Sequence, residues 1–334
     1  MADFQHQHAS HCESGVMSAI VRHYGLPFSE PMAFGLASAL SFAWLPFVKL
    51  GGLPLVAYRM PPKAIIRGLR KPLALDMRFE TFRDPARGMA RLDELLAQGK
   101  VVGLQTSVFW LPYMPEDLRF HFNAHNVLVY GRDAASGDYL LSDPVFEHPV
   151  RCAAEDLSRA RFARGVLAPK GLLYYPANRP SAPDWGKAIP AAIRKTERIM
   201  LKAPLPLIGA RGIERAARAV GRLPAQDKDG DVRHSKLFIG HLVRMQEEIG
   251  TGGAGFRYLY ASFLEEGAEL AQRPALKEFS GRLVEIGDRW REFALAAARM
   301  IRDRDPLDPP RLAAMLSERA AEERAFFTDL GRAL

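Results

Sequence analysis

Apolar residues recur at helical spacing near the start of the chain. Val16, Ala19, Ile20 and Tyr24 form one stripe within residues 10–25, and Gly25 supplies the stop. The pattern predicts a helix with Cys12 at its N-terminal end. Ser29-Glu30-Pro31 is a second start signal, with proline in the first turn. It leads into the longest apolar run, AFGLASALSFAWLPFV at 33–48, expected to be a buried helix or the wall of an apolar pocket. Asp84-Pro85 opens a third helix, with Met89, Leu92, Leu95 and Leu96 as its stripe and Gly99 as its end.

The period then changes. VVGLQTSVF from Val101 is rich in β-branched and apolar residues and predicts a strand, as do NVLVYG from Asn126, YLLSDP from Tyr139 and GLLYYP from Gly171. DAASGD at 133–138 is a turn cluster that would join the second and third of these as a hairpin. Helices followed by an antiparallel sheet make this part α+β. PANRPSAP at 176–183 shifts the composition to proline and small polar residues and marks a boundary. Beyond it nothing reads as a strand, and helices are predicted over 185–201, 213–220, 236–249, 256–270, 276–302 and 310–330. The expected organisation is a domain at 1–180 and an all-α domain at 181–334. QDKDGDVRH at 226–234 reads as a charged, mobile loop.

Composition agrees with two domains. The 334 residues are about twice the usual domain length. A hydrophobic fraction of 48% and a charged fraction of 25% place the chain in the globular range. The net charge of +8 is spread along the chain and would attract nucleic acid, an acidic carrier protein or an anionic surface without choosing among them. Two cysteines, Cys12 and Cys152, do not make a disulfide scaffold, and no zinc spacing is present. The 33–48 run is shorter than the ~20 residues of a spanning helix and contains Pro46, so no transmembrane segment is expected. The first residues lack the pattern of a signal peptide, and the cytoplasm is the expected location.

Cys12 is the residue around which chemistry can be built. A thiol attacks as the thiolate, which a helix N-terminus and a nearby histidine both favour. His125 heads the strand NVLVYG, and Asp143 ends the strand paired with it. In an antiparallel hairpin these two ends lie together, so Asp143 can orient the imidazole. Cysteine on a helix, then histidine and aspartate on adjacent strands, is the papain-like order.

A resemblance extends this. His11-Cys12-Glu13-Ser14-Gly15, Ser29-Glu30-Pro31-Met32 with Phe34-Gly35-Leu36, Leu111-Pro112-Tyr113, His121-Phe122 with His125-Asn126-Val127, and Ser142-Asp143-Pro144 together resemble the N-terminal domain of the butirosin biosynthesis protein H family. That domain is similar to C39-type papain-like peptidases. Trp185 with Lys187-Ala188-Ile189, and TGGAGFR at 251–257 followed by Tyr260 and Phe263-Leu264-Glu265-Glu266, resemble the helical domain that accompanies it. The resemblance implies a cysteine-dependent acyltransferase. It would take an acyl group from the phosphopantetheine thioester of an acyl carrier protein onto Cys12 and pass it to a small-molecule acceptor. No bound cofactor is implied, since phosphopantetheine arrives on the donor.

Further roles follow as expectations. C39-type enzymes place a glutamine before the cysteine to bind the oxyanion. Here His6 holds the matching position, so the donor is Gln7, or the Cys12 backbone N–H acting with another group. Ser107 stands where family members often carry an acid. Trp110 and Tyr113, with Phe109, are expected to line a closed site. Glu30 is either a ligand for a substrate amine or a helix-start charge. Phe256 and Arg257 would pack against the first domain or border the entrance for a pantetheine arm, the helical domain completing the substrate cavity. His11 neighbours the nucleophile. His121 precedes His125 without a third ligand, so no metal is expected. Cys152 reads as structural, and TGGAGFR lacks the Lys-Ser/Thr of a phosphate loop. The rival functions are a cysteine peptidase or amidase on the same triad and a non-catalytic carrier-protein-binding module. No nucleic-acid motif accompanies the charge.

Overall fold

Helix α1 (Cys12–His23) begins at the cysteine itself, and Gly25 follows it with φ +95°. The computed structural model describes residues 4–226 and 230–334. Helix α2 (Glu30–Leu36) ends in a turn in which Ser38, at φ +56°, donates its N–H to Gly35 O and Ala39 donates to Phe34 O. The chain then becomes strand β1 (Leu40–Leu50), paired antiparallel with β2 (Leu53–Arg59). The apolar run at 33–48 is therefore mostly strand, a correction to the buried-helix expectation. Short apolar runs do not distinguish the two by periodicity. The hairpin signal is the pair Gly51-Gly52, whose φ of +57° and +86° suit a two-residue turn. Pro46 is accommodated where the register shifts between Leu45 and Lys49.

Helix α3 (Ala64–Leu69) and strand β3 (Met77–Glu80) follow. Helix α4 (Pro85–Ala97) is capped by Asp84, which accepts from Ala86 N–H. Strand β4 (Val102–Thr106) leads through two short 3-10 turns to β5 (His125–Arg132). Strands β6 (Tyr139–Ser142) and β7 (Val150–Cys152), helix α5 (Ala154–Arg161) and strand β8 (Leu173–Pro176) complete this part. The sheet is six-stranded and antiparallel, in the order β3-β8-β4-β5-β6-β7. Leu104, Val127, Val129, Leu141 and Leu173 form its core with Leu92 and Leu95 of α4 and Leu157 of α5. The order is not helices and then sheet, because β1, β2 and β3 precede α4.

From residue 185 onward the elements are helical: α6 (Trp185–Lys202), α7 (Gly209–Val220), α8 (Val232–Glu247), α9 (Arg257–Leu270), α10 (Ala275–Ile301) and α11 (Pro309–Arg332). Of the charged loop expected at 226–234, residues 227–229 lie outside the described residues, and α8 begins before the loop was expected to end.

The chain divides into two compact units. One comprises Met1–Ala33 and Pro62–Pro183, the other Phe34–Pro61 and Asp184–Leu334. The β1–β2 hairpin thus belongs with the C-terminal helices. In that unit Phe42 and Tyr58 of the hairpin stack around Trp290 of α10, with ring centroids 6.3 and 5.6 Å away. Among the described residues no helix is long and apolar enough to cross a membrane.

Candidate active site

The turn before α1 is held from three sides. His11 is its N-cap, with Nδ1 accepting from Ser14 N–H. Both carboxylate oxygens of Glu30 are bound within the protein: Oε2 accepts from Ser10 N–H at 2.8 Å, and Oε1 from His11 N–H at 2.7 Å and Ser14 Oγ at 2.9 Å. Ala9 donates its N–H to Pro144 O at 2.7 Å, tying the turn to the residue after Asp143. Gly15 makes this approach possible, since a Cβ there would lie 2.6 Å from the Pro144 ring. Glu13 points the other way, and its Oε1 accepts from Ile65 and Ile66 N–H at the start of α3.

The hairpin of β5 and β6 pairs Leu128 with Ser142, so His125 and Asp143 fall at the same end of the sheet. His125 Nε2–H donates to Asp143 Oδ2 at 2.7 Å. Asp143 is fully buried, and it also accepts from Tyr113 Oη–H at 3.0 Å and from Val145 N–H at 3.3 Å. Cys12 and His125 are buried as well. Burial alone would depress the His125 pKa. The Asp143 charge and hydrogen bond, aided by a hydrogen bond with Cys12, outweigh it and raise the pKa to about 10. With Nε2 given to Asp143, Nδ1 is the nitrogen left for the thiol. Helix start, imidazolium and carboxylate are thus the parts a nucleophilic thiolate needs.

The other expected residues are distributed differently. Gln7 is exposed. His6 has both ring nitrogens engaged, with Ser142 Oγ at 2.7 Å and Phe146 O at 2.9 Å, so the position matching the C39 glutamine fastens the N-terminal segment to the sheet. Tyr113 is an Asp143 partner. Burial, followed by the Asp143 charge, keeps its hydroxyl protonated. Trp110 is half-exposed and, with Phe109, Pro112 and Arg119, lines a cavity of about 370 Å³. His121 stacks on Phe109 with centroids 4.1 Å apart. Among the described residues no three metal-ligating side chains are grouped. Cys152 is buried in the sheet core; burial and then the charges of Asp156 and Asp138 push its thiol up to about 12.

Phe256 and Arg257 lie in the core of the second unit. Phe256 stacks on Phe34, with centroids 5.0 Å apart. Arg257 is fully buried and bidentate to Glu323, with Nε to Oε1 at 2.8 Å and Nη2 to Oε2 at 3.0 Å. It lies over the rings of Trp290 and Tyr58, and Trp290 Nε1–H donates to the same Glu323.

One residue beside the thiol was not given a role from sequence. Asn126 Nδ2 lies 3.8 Å from Cys12 Sγ. Its signal was its place in the His125-Asn126-Val127 motif. Its chemistry depends on Tyr174, which only the folded sheet brings near.

Two family models match the chain, and they meet between residues 144 and 155, ahead of the structural break after Pro183. Residues 11–144 match the model described as butirosin biosynthesis protein H, N-terminal, and residues 155–330 match a domain of unknown function, DUF4872. No curated protein matches the sequence. The first match runs from the N-cap of α1 to the residue after Asp143, and the second covers more than half the chain. The chain therefore belongs to the butirosin biosynthesis protein H family, with the domain of unknown function as its C-terminal part.

Proposed function

We propose that the protein is a biosynthetic acyltransferase that carries its acyl group on Cys12. The carrying observation is the buried line of groups from the α1 N-terminus through His125 to Asp143. The expected donor is an acyl-carrier-protein phosphopantetheine thioester, and the acceptor is the amine or hydroxyl of a small molecule. A net charge of +8 suits an acidic carrier. Neither Cys12 nor Cys152 is in a disulfide, so the Cys12 sulfur keeps its thiol chemistry.

His125 takes the Cys12 proton, and the thiolate attacks the donor carbonyl. The tetrahedral intermediate collapses, the carbon–sulfur bond to pantetheine breaks, and His125 returns the proton to the departing thiolate. One thioester has replaced another, so the step is close to balanced in free energy. The acceptor then attacks the acyl-enzyme and gives its proton to His125. Collapse of the second intermediate releases the amide or ester and restores the Cys12 thiolate. Asp143 holds the ring in the required tautomer through its hydrogen bond to Nε2.

The test is intact mass after mixing with loaded carrier proteins in the absence of acceptor. An adduct mapping to the Cys12 peptide, lost in Cys12→Ala, is the expected result. Transfer that persists in Cys12→Ala would overturn the proposal. Rapid loss of the adduct to water in the presence of amine acceptors would instead mark a hydrolase.

A further inference from the structure

The acyl-enzyme chemistry proposed above needs a donor for the oxyanion, and neither Gln7 nor His6 is placed to serve. Asn126 occupies the second position of β5, next to His125, and its side chain is buried. Three contacts define its amide. Oδ1 accepts from Tyr174 Oη–H at 2.9 Å. Nδ2 donates to Ala124 O at 3.2 Å and approaches Cys12 Sγ at 3.8 Å. A flipped amide would set Oδ1 against the Ala124 carbonyl, two acceptors with no hydrogen between them, so the Ala124 contact fixes the orientation and Tyr174 donates to Oδ1.

Tyr174 makes a rigid clamp. It is fully buried on β8, and burial followed by the Glu13 and Cys12 charges holds its hydroxyl protonated. Its ring crosses β4 at Gly103, where a Cβ would lie 2.2 Å from the ring. The hydroxyl thereby reaches from β8 over β4 to Asn126 on β5. Of the two amide hydrogens one is used by Ala124, and the other faces the sulfur.

We infer that Asn126 is a catalytic oxyanion donor for the Cys12 acyl-transfer steps, and that Tyr174 is the positioning residue that aims it. As the carbon–sulfur bond forms, the carbonyl π electrons move onto oxygen beside the sulfur. A donor 3.8 Å from Sγ is set for an oxygen to one side of the line joining them, at about 3 Å from the nitrogen. When the intermediate collapses the charge returns to the carbonyl and the hydrogen bond weakens. The interaction therefore favours the transition state over the bound thioester.

The experiment compares two rates in the full-length protein: single-turnover acylation of Cys12 by a short pantetheine thioester, and alkylation of Cys12 by iodoacetamide across pH. Alkylation forms no oxyanion and reads only the thiolate. Asn126→Ala should lower acylation by about 10²–10³-fold and leave the alkylation pH profile in place. Tyr174→Phe, which keeps the ring in the core, should lower acylation by roughly tenfold with the same unchanged alkylation. Acylation within about threefold of wild type in Asn126→Ala would overturn the assignment. So would a parallel fall in both rates, which would make Asn126 a support for the thiolate. A Tyr174→Phe variant that acylates at the wild-type rate would remove the clamp. If wild-type Cys12 alkylates readily yet accepts no acyl group from any thioester, the proposed function fails instead.

Discussion

Tyr113 donates its hydroxyl to Oδ2 of Asp143, the same oxygen that receives the His125 Nε2–H. The carboxylate is therefore held by a donor on a separate loop as well as by the ring it orients. Tyr113→Phe keeps the ring packed on Phe146 and removes one hydrogen bond to a buried charge. Acylation of Cys12 should slow by about tenfold, the equivalent of roughly 1.5 kcal/mol. Rapid-quench mass measurement would check it, and an unchanged rate would show that His125 and Val145 suffice to fix Asp143.

The His125–Asp143 pair makes stability depend on pH with a defined sign. The imidazole titrates near 6.5 in the unfolded chain and at about 10 in the folded one. The folded state holds the proton more tightly, so the contribution is complete below pH 6.5 and disappears as pH rises through about 10. Asp143→Asn removes the main cause of the rise. The stability gap between wild type and Asp143→Asn, measured in urea, should be widest at pH 6 and narrow toward pH 10. Alkylation of Cys12 in the variant should move to higher pH. A gap constant across that window would contradict the pairing.

The two cysteines should differ sharply toward alkylating reagents. Cys12 has a helix start and an imidazole beside it, whereas burial pushes the Cys152 thiol up to about 12. The native protein should take up one equivalent of iodoacetamide at neutral pH, on Cys12, and Cys152→Ala should keep turnover within about twofold. Peptide mapping of the labelled protein would decide it; label on Cys152 ahead of Cys12 would reverse the assignment of nucleophile.

In the second unit the fully buried Arg257–Glu323 pair is the point of greatest sensitivity. Removing one partner leaves an uncompensated charge, so Arg257→Ala or Glu323→Ala should each cost about 3–5 kcal/mol. The double variant Arg257→Met with Glu323→Leu should recover much of that loss. Trp290 bonds to Glu323 and lies under Arg257, so its fluorescence reports the transition directly. Additive losses in the double variant would show that the two residues are not coupled.

Much of this was legible in the sequence where one local signal dominates. Apolar stripes with clear stops placed α1, α4 and α6–α11 to within a few residues, and the DAASGD turn placed the hairpin that sets His125 beside Asp143. Residues 33–48 misled because strand and buried helix share the same composition, and because α2 ends in a left-handed Ser38 where glycine or asparagine would have been the signal. Strands β3 and β7 are too short to show a period. Asn126, Tyr113 and Glu30 could be seen as residues, but their partners Tyr174, Asp143 and the Ser10–His11 main chain are supplied by the fold. That pairing is long-range, and no local pattern carries it.

The excursion of residues 34–61 into the second unit has a consequence for how the protein is made. The ribosome releases β1 and β2, with Phe42 and Tyr58, more than 200 residues before Trp290 and the helix that carries it. Until then the hairpin has apolar side chains without their native cover and strand edges open to other chains. Over that interval the hairpin is a part of the nascent chain open to misassociation. Slower synthesis lengthens the exposure, and a chaperone that shelters short apolar hairpins shortens it.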